Sequence, residues 1–242
     1  MIKISYLKNI FFFILIIIII SYLLYILHES IDHNSCNRTI RKDGYMVIND
    51  ADNKNILKYL PKDYVFIDYK YEIKGCTLST FHRDVTSSQY IYNTKYPVYT
   101  FIVYYNSGPL LSVIPKSHKT TPFSWDKSVI IHGNKGTGIL FNCDLVHAGA
   151  MNNFKEQRHA IQYKICHFDD LKTLSHLDGI NKTTYKHCNN NKYYEYICRK
   201  LSMIFPFVFN HLFTSLLQDK PQKDTIFEYL VTNYYIGDFY NK

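Results

Sequence analysis

A histidine and an aspartate two positions apart, His82 and Asp84, are the first residues in the sequence whose types and spacing suggest chemistry. In an extended segment the side chains at positions i and i+2 point to the same face, so one metal ion can bind both. Iron(II) accepts such mixed nitrogen and oxygen ligands. With a second histidine the set leaves three positions open for a bidentate co-substrate and oxygen, and the sequence therefore predicts an iron site that begins at this pair.

The third ligand is expected at His147, in a later segment with the pattern of a turn followed by a strand. Over 136–147 the odd positions share one face with His147 and are otherwise apolar, so the imidazole is expected to project inward. Arg158 follows eleven residues later, where the next strand is predicted. Its guanidinium there can make a paired hydrogen bond to the distal carboxylate of 2-oxoglutarate, whose keto-acid end would chelate the iron.

Two other pairs have the same spacing, His167 with Asp169 and His176 with Asp178. A single pair is weak evidence, because chance alone is expected to produce about one in a chain of this composition. Little β-patterned sequence follows either pair, and the one arginine after them is Arg199. Neither pair therefore has room downstream for a third ligand and a co-substrate clamp, and we interpret both as surface or loop residues.

The segments that must position the candidate ligands are short and rich in β-branched and aromatic residues. Each is bounded by Gly, Pro, Asn or Asp, and helical periods do not intervene between them. Several strands at this spacing favour an antiparallel sandwich or barrel, and therefore a mainly β fold. The predicted strands lie at 64–73, 98–105, 110–114, 138–143 and 159–165.

The two ends of the chain have a different pattern. Ile10–Leu27 carries no charged residue over 18 positions, which is close to the length of a helix that crosses a bilayer. Large residues follow it instead of the small ones of a cleavage site, so we expect an uncleaved, single-pass signal anchor. Beyond about residue 185 apolar residues recur at helical steps, and 203–217 is expected to pack on the barrel or to lie at a bilayer surface.

The charges that flank the apolar segment give no clear orientation, because basic residues stand on both sides of it. Two glycosylation sequons, at Asn37 and Asn181, favour a lumenal location for the domain that follows. The polar residues 30–55 are expected to form a stalk. The predicted division of the chain is an anchor at 1–29, a stalk at 30–55, a β domain at 56–184 and a helical extension at 185–242.

The charge balance and the cysteine usage exclude other classes of protein. The formal net charge is +8, but it comes from scattered lysines without an arginine-rich stripe, so nucleic acid is not an expected partner. The six cysteines contain no C-x-x-C pair, which excludes a zinc knuckle and a thioredoxin motif.

In their order along the chain these residues resemble the phytanoyl-CoA dioxygenase-like branch of the 2-oxoglutarate and iron(II)-dependent oxygenases. Three pieces match: the pair His82 and Asp84, the stretch SGPLLSVIPKSHK at 107–119, and the segment 138–158 with its histidine and arginine. The resemblance covers about residues 60–167, and its specificity lies in the ordered combination of the three pieces.

The resemblance implies a double-stranded β-helix with flanking helices, in which His82, Asp84 and His147 bind iron(II) and Arg158 binds 2-oxoglutarate. It further implies oxidative decarboxylation of 2-oxoglutarate to succinate and carbon dioxide, coupled to hydroxylation of a C–H bond. The substrate would be a small-molecule, lipid or peptide-like compound, with ascorbate as an accessory reductant. The competing hypothesis is a catalytically inactive barrel, tethered to a membrane, with a binding or structural role.

Two positions depart from the pattern of the family. Lys116 stands where the family usually has glycine, which affects a loop. Gly149 stands where a serine or threonine often follows the distal histidine, which leaves the co-substrate pocket one donor short. His118 belongs to the signature, and we expect it to hold a loop near the mouth of the barrel. The intact Asp84 argues against the related halogenases, whose carboxylate position is small.

Overall fold

A computed structural model of the chain describes residues 2–51, 53–75, 80–120, 126–151, 158–186, 192–204 and 206. Strands dominate this part of the chain, and the helices apart from the first and the last are one turn long. In chain order the elements are α1 (Ile2–Leu27), β1 (Ser30–Ile31), α2 (Ile40–Asp43), β2 (Tyr45–Ile48), α3 (Asn53–Ile56), β3 (Tyr64–Gly75), α4 (Gln89–Tyr92), β4 (Tyr99–Tyr104), β5 (Gly108–Val113), β6 (Val129–Gly133), β7 (Gly138–Asn142), β8 (His147–Gly149), β9 (Arg158–His167), β10 (Ile180–Lys186) and α5 (Lys192–Ile204).

The strands form two sheets that face each other. The larger sheet has the order β10-β3-β9-β4-β7-β2 and the smaller one β1-β6-β5-β8, and an isolated antiparallel bridge from His82 to His147 extends the smaller sheet past β8. From β3 to β9 the chain passes back and forth between the sheets, and all the strand pairs formed along this path are antiparallel. This winding is that of a double-stranded β-helix, so the predicted fold class is confirmed.

The interior between the sheets is apolar around the middle of the barrel and polar towards one side of β9. Strand β9 lies between β3 and β4, so its alternate side chains point inward from the centre of the larger sheet. Those residues are Arg158, Ala160, Gln162 and Lys164. The apolar side chains that fill the interior come from both sheets and include Ile102, Tyr104, Leu110, Leu111, Val113, Ile131, Ile139, Phe141 and Leu145.

The segment 30–55, expected to be a stalk, instead belongs to the two sheets over part of its length. Strand β1 pairs with β6 and strand β2 pairs with β7, and the Tyr45 side chain is fully buried. The polar residues that suggested a stalk are paired with each other: the Arg38 guanidinium lies 3.0 Å from Asp32 and 3.2 Å from Asp43. The stalk interpretation is therefore wrong for this segment, because its charges satisfy one another on the barrel surface.

Helix α1 is long and apolar enough to be a membrane anchor or a signal sequence. Its window Ile10–Leu27 has a mean hydropathy of 3.1, and 6% of that window is buried. The end of the helix is tied to the barrel, since Ile26 is buried and the Leu27 carbonyl accepts a hydrogen bond of 2.7 Å from Lys200 of α5. The rest of the predicted helical extension, including most of 203–217, lies outside the described residues.

Candidate metal centre

The three predicted ligands come together across the bridge that extends the smaller sheet. The backbone N–H of His82 donates to the carbonyl of His147 at 2.9 Å, and the N–H of His147 donates back at 2.9 Å. Asp84 lies two residues further along the same extended segment and reaches the same face. One ligand atom from each of the three side chains can be chosen so that all lie within 4.8 Å of one another. This spacing can accommodate an iron ion.

Hydrogen bonds fix which nitrogen of each imidazole faces the cluster. Nδ1 of His82 lies 2.8 Å from the carbonyl oxygen of Thr80, and Nδ1 of His147 lies 2.9 Å from that of Leu145. Because a carbonyl can only accept, each Nδ1 carries the proton and donates it. Each Nε2 therefore keeps its lone pair for a metal, which is the orientation that outer hydrogen bonds give to ligating histidines.

The two oxygens of the Asp84 carboxylate have different surroundings. Oδ1 lies 3.5 Å from Nε2 of His147 and faces the cluster. Oδ2 accepts hydrogen bonds of 2.6 Å from the Thr100 hydroxyl and 2.6 Å from the Lys164 ammonium, with the Gln162 amide at 3.5 Å. The protein thus engages Oδ2 with hydrogen-bond donors, while Oδ1 faces His147.

The protonation states of these groups suit a cation. Burial by itself raises the pKa of the Asp84 carboxyl, but the charges of Lys164, His147 and His82 outweigh burial, and the pKa lies below its usual range. Burial also lowers the pKa of His147, with the Asp84 carboxylate opposing that effect. At neutral pH the carboxylate is therefore ionised and the imidazole neutral, which are the forms that bind metals.

Arg158 lies in the same interior as the ligand cluster. Its guanidinium is buried and donates a hydrogen bond of 3.2 Å to the Tyr104 hydroxyl, and it lies 5.5 Å from the centre of that ring. Its charge is among those that lower the pKa of His147, so the two side chains are close enough to interact electrostatically. A buried guanidinium beside a neutral phenol can hold a carboxylate through charge-assisted hydrogen bonds.

Comparison with known proteins gives a fold likeness and no family. No family model and no curated protein matches the chain. Among solved structures, the non-heme alpha ketoglutarate dependent epimerase SnoN from nogalamycin biosynthesis is 12% identical over 53% of this chain and 79% of its own, with a TM-score of 0.38. EvdO2 from Micromonospora carbonacea var. aurantiaca is 10% identical over 57% of this chain and 91% of its own, with a TM-score of 0.42. The iron and alpha-ketoglutarate-dependent endoperoxidase NvfI is 8% identical over 55% of this chain and 81% of its own, with a TM-score of 0.38. At these identities and TM-scores the likeness does not decide the chemistry, which depends on the geometry of the site.

The residue between the two ligands of the first pair supports the loop of the signature stretch. The Arg83 side chain is buried, and it donates hydrogen bonds to the carbonyls of Ser117 at 2.8 Å, of Thr120 at 3.1 Å, and of Asp144. His118 lies in that loop, outside the ligand cluster. Burial, Lys119 and Arg83 together lower the pKa of His118 to about 4, so it is neutral at physiological pH.

Lys116 adopts a backbone conformation that favours glycine. Its φ is +66°, in the left-handed region that glycine adopts without strain and other residues at a cost of roughly 1–2 kcal/mol. The backbone N–H of Lys116 donates to the Asp43 carbonyl at 2.8 Å, which holds the loop against α2. Lys116 therefore holds a backbone conformation that is strained for a residue other than glycine.

The two competing pairs have other contacts. Asp169 forms an exposed ion pair of 3.0 Å with Lys95, and His167 lies 3.7 Å from the same carboxylate. His176 stacks on Tyr92, with ring centres 4.5 Å apart. Among the residues that the structure describes, the cluster of His82, Asp84 and His147 is the one group of three histidine, cysteine or acidic side chains close enough to share a metal ion.

Sequence reasoning missed Lys164, which is buried beside the cluster. The available signal was its position six residues after Arg158 in a predicted strand, which places both on one face. A lysine at such a position usually points to solvent, so composition alone gave no reason to expect an inward ammonium. Thr100 was likewise not predicted, because its role depends on the pairing of β4 with β9.

Proposed function

We propose that the chain is an iron(II)- and 2-oxoglutarate-dependent oxygenase. His82, Asp84 and His147 are the metal ligands and Arg158 is the co-substrate clamp. The observation that carries the proposal is the convergence of three ligand atoms within 4.8 Å, with each imidazole held by its Nδ1 and Oδ1 of Asp84 facing His147. The finer proposal, hydroxylation of a C–H bond in a small-molecule, lipid or peptide-like substrate, rests on the resemblance to the phytanoyl-CoA dioxygenase-like branch.

The side chains divide the work of binding. When bound, iron and 2-oxoglutarate would supply the reductive activation of dioxygen, in which one oxygen atom enters succinate as carbon dioxide leaves and the other enters the substrate. Arg158, supported by the Tyr104 hydroxyl, would hold the distal carboxylate of the diacid, so that its keto-acid end faces the open coordination positions. Phe141 packs against the His147 ring with 4.5 Å between ring centres, and this apolar wall excludes water from one side of the site.

We further propose that α1 is a retained single-pass anchor. The end of α1 and the residues that follow it are part of the fold. Ile26 is buried, and the Glu29 carboxylate, two residues after the helix, pairs with Arg199 at 2.9 Å. Removal of a signal peptide anywhere after these residues would leave the Arg199 charge buried without that partner. The sequon asparagines Asn37 and Asn181 are both exposed, which supports a lumenal barrel. The anchor then occupies 1–29, and the oxygenase domain begins at β1.

A catalytically inactive, membrane-tethered barrel is the second candidate, and one observation favours it. The Lys164 ammonium already pairs with Asp84 at 2.6 Å, so the buried carboxylate is charge-balanced without a metal. In that case the cluster would be a structural ion pair, and the barrel would serve in binding or as a scaffold.

Conversion of 2-oxoglutarate to succinate by the purified full chain in detergent tests the proposal. With iron(II) and ascorbate supplied, we expect succinate to form and the Asp84→Ala variant to form none above background. The Asp178→Ala variant, which removes an exposed aspartate from one of the competing pairs, is the matched control and should keep the activity. A wild-type chain that binds no iron(II) and forms no succinate would favour the inactive barrel.

A further inference from the structure

Lys164 makes unusually specific contacts for a fully buried lysine. Its ammonium lies 2.6 Å from Oδ2 of Asp84, 2.8 Å from the Ser87 hydroxyl, 2.8 Å from the Thr100 hydroxyl and 3.7 Å from the Cys143 thiol. Burying a cation costs several kcal/mol that a salt bridge only partly offsets, and an apolar residue of similar volume would often stabilise the fold as well or better. The lysine therefore calls for an explanation other than stability.

The explanation lies in which carboxylate oxygen the lysine contacts. A carboxylate can bind a metal through one oxygen or through both, and binding through both occupies two of the positions around the ion. Lys164 and Thr100 both bind Oδ2, at 2.6 Å each, while Oδ1 faces His147 at 3.5 Å. Oδ2 is thus engaged by two donors of the protein, while Oδ1 lies towards His147.

We propose that Lys164 is a positioning residue that restricts Asp84 to binding the metal through Oδ1 alone. By engaging Oδ2, the ammonium keeps a coordination position free for the keto-acid group of the co-substrate. This inference rests on the proposed iron site and assigns to Lys164 the selection of how Asp84 binds there. The ion pair does not block the site, because it engages Oδ2 and leaves Oδ1 facing His147.

The sheet makes this arrangement rigid. Lys164 and Thr100 are direct partners in the pairing of β9 with β4, so the two donors to Oδ2 come from neighbouring central strands. Arg158 begins the same strand β9 and shares the inward face with Lys164. One strand therefore carries the proposed clamp for the diacid and the residue that keeps a coordination position open for it.

The Lys164→Met variant of the full chain in detergent tests this role, with Lys70→Met, an exposed lysine on β3, as the matched control. Two quantities are measured without oxygen: the affinity for iron(II), and the affinity for 2-oxoglutarate of the iron-loaded protein, followed by the visible charge-transfer absorption of a chelated keto acid. We expect 2-oxoglutarate to bind about 10-fold to 100-fold more weakly to Lys164→Met, with iron still bound, and Lys70→Met to be unchanged.

Each other outcome has a defined meaning. Wild-type affinity for 2-oxoglutarate in Lys164→Met contradicts the positioning role and leaves the oxygenase proposal intact. Iron binding by Lys164→Met but not by the wild type would also overturn it, because the lysine would then block the site as in the inactive barrel. If Lys164→Met does not fold, Thr100→Val removes the other 2.6 Å hydrogen bond to Oδ2 and should weaken 2-oxoglutarate binding in the same direction. Unchanged 2-oxoglutarate affinity in that variant would count against the role.

Discussion

Two buried ion clusters in this protein look alike and differ in one respect. In the barrel, Lys164 pairs with Asp84 at 2.6 Å. Where α1 meets α5, the Glu29 carboxylate accepts hydrogen bonds from Arg199 and Lys200, with nitrogen to oxygen distances between 2.9 and 3.0 Å, and from the Ser112 hydroxyl at 2.9 Å. Both oxygens of Glu29 are therefore bound within the protein, whereas Oδ1 of Asp84 lies 3.5 Å from Nε2 of His147, within the group of candidate ligands.

The difference separates a structural cluster from one built to take a further partner. Burial by itself raises the pKa of Glu29, but Arg199 and Lys200 outweigh it and lower the pKa to about 2, so the carboxylate is charged and fully matched. The Arg199 guanidinium also donates to the Gly149 carbonyl at 2.8 Å and lies 4.7 Å from the centre of the Phe81 ring. Arg199 of this saturated cluster thus contacts residues that neighbour the proposed ligands His82 and His147 in the chain.

The largest expected effect comes from breaking the saturated cluster. Glu29→Ala leaves the Arg199 guanidinium, which is 0% exposed, without its carboxylate, and we expect a loss of about 3–5 kcal/mol in the free energy of unfolding. Denaturant unfolding in detergent measures this loss, with Asp178→Ala as the control, since Asp178 is exposed. Iron affinity of the folded Glu29→Ala protein should be unchanged, and a parallel loss of iron binding would break the comparison.

The stability of the chain at low pH tests whether the Glu29 carboxylate is charged in the fold. Because the pKa of Glu29 falls from 4.5 to about 2 on folding, its ion pairs stabilise the protein fully above about pH 4.5, and this contribution is lost as pH falls through 2. This fall in the pKa of Glu29 corresponds to about 3 kcal/mol in the free energy of unfolding. The difference in the free energy of unfolding between wild type and Glu29→Gln should therefore become smaller as pH falls from about 4.5 to about 2. A gap that is independent of pH would show that the carboxylate is not charged in the fold.

Arg158→Ala tests another buried cation, one that donates a hydrogen bond to the neutral Tyr104 hydroxyl. We expect the affinity of the metal-loaded protein for 2-oxoglutarate to fall about 10-fold to 100-fold, because a hydrogen bond to a charged group contributes about 1.5–3 kcal/mol. Iron affinity should change little. Calorimetric titration of both ligands gives the two numbers, and an equal loss of both would remove the co-substrate role.

The smallest effect is expected outside both clusters, at Lys116. Lys116→Gly relieves a φ of +66° and should raise the free energy of unfolding by about 0.5–1 kcal/mol without altering iron binding. Lys119→Gly is the matched control, since Lys119 lies in the adjacent 3-10 helix at Ser117–Lys119 and outside the positive-φ region. Equal shifts in the two variants would show that loop flexibility, and not strain at Lys116, sets the change.

What the sequence could predict follows from how local each signal is. His82 and Asp84 share a face because of a spacing of two, and Arg158 begins a strand that the residue types identify. His147 was expected on one continuous strand face over 136–147, but β7 ends at Asn142 and His147 begins β8 in the smaller sheet, so that part of the prediction was wrong. The pairing of Glu29 with Arg199 joins residues 170 positions apart and depends on how α1 and α5 pack, which no local pattern contains.

The remaining differences have the same cause. The segment 30–55 has a polar composition, and the sequence does not show that Arg38 is neutralised by two aspartates while β2 joins the larger sheet. Lys164 has a residue type that favours solvent, and only the register of β9 against β4 brings it to Asp84. The placement of segment 30–55 and that of Lys164 are both determined by tertiary pairing, and not by local propensity.

Anaerobic binding of iron(II) to the purified full chain most directly tests the central claim that Asp84 and two imidazoles form a metal site. The account predicts one iron ion per chain in the wild type and an affinity at least about 100-fold lower in His82→Ala, with the unfolding temperature of the metal-free protein nearly unchanged. His176→Ala, which alters a histidine outside the cluster, should bind as the wild type does. Equal iron binding by wild type and His82→Ala, or none by the wild type, would contradict the account.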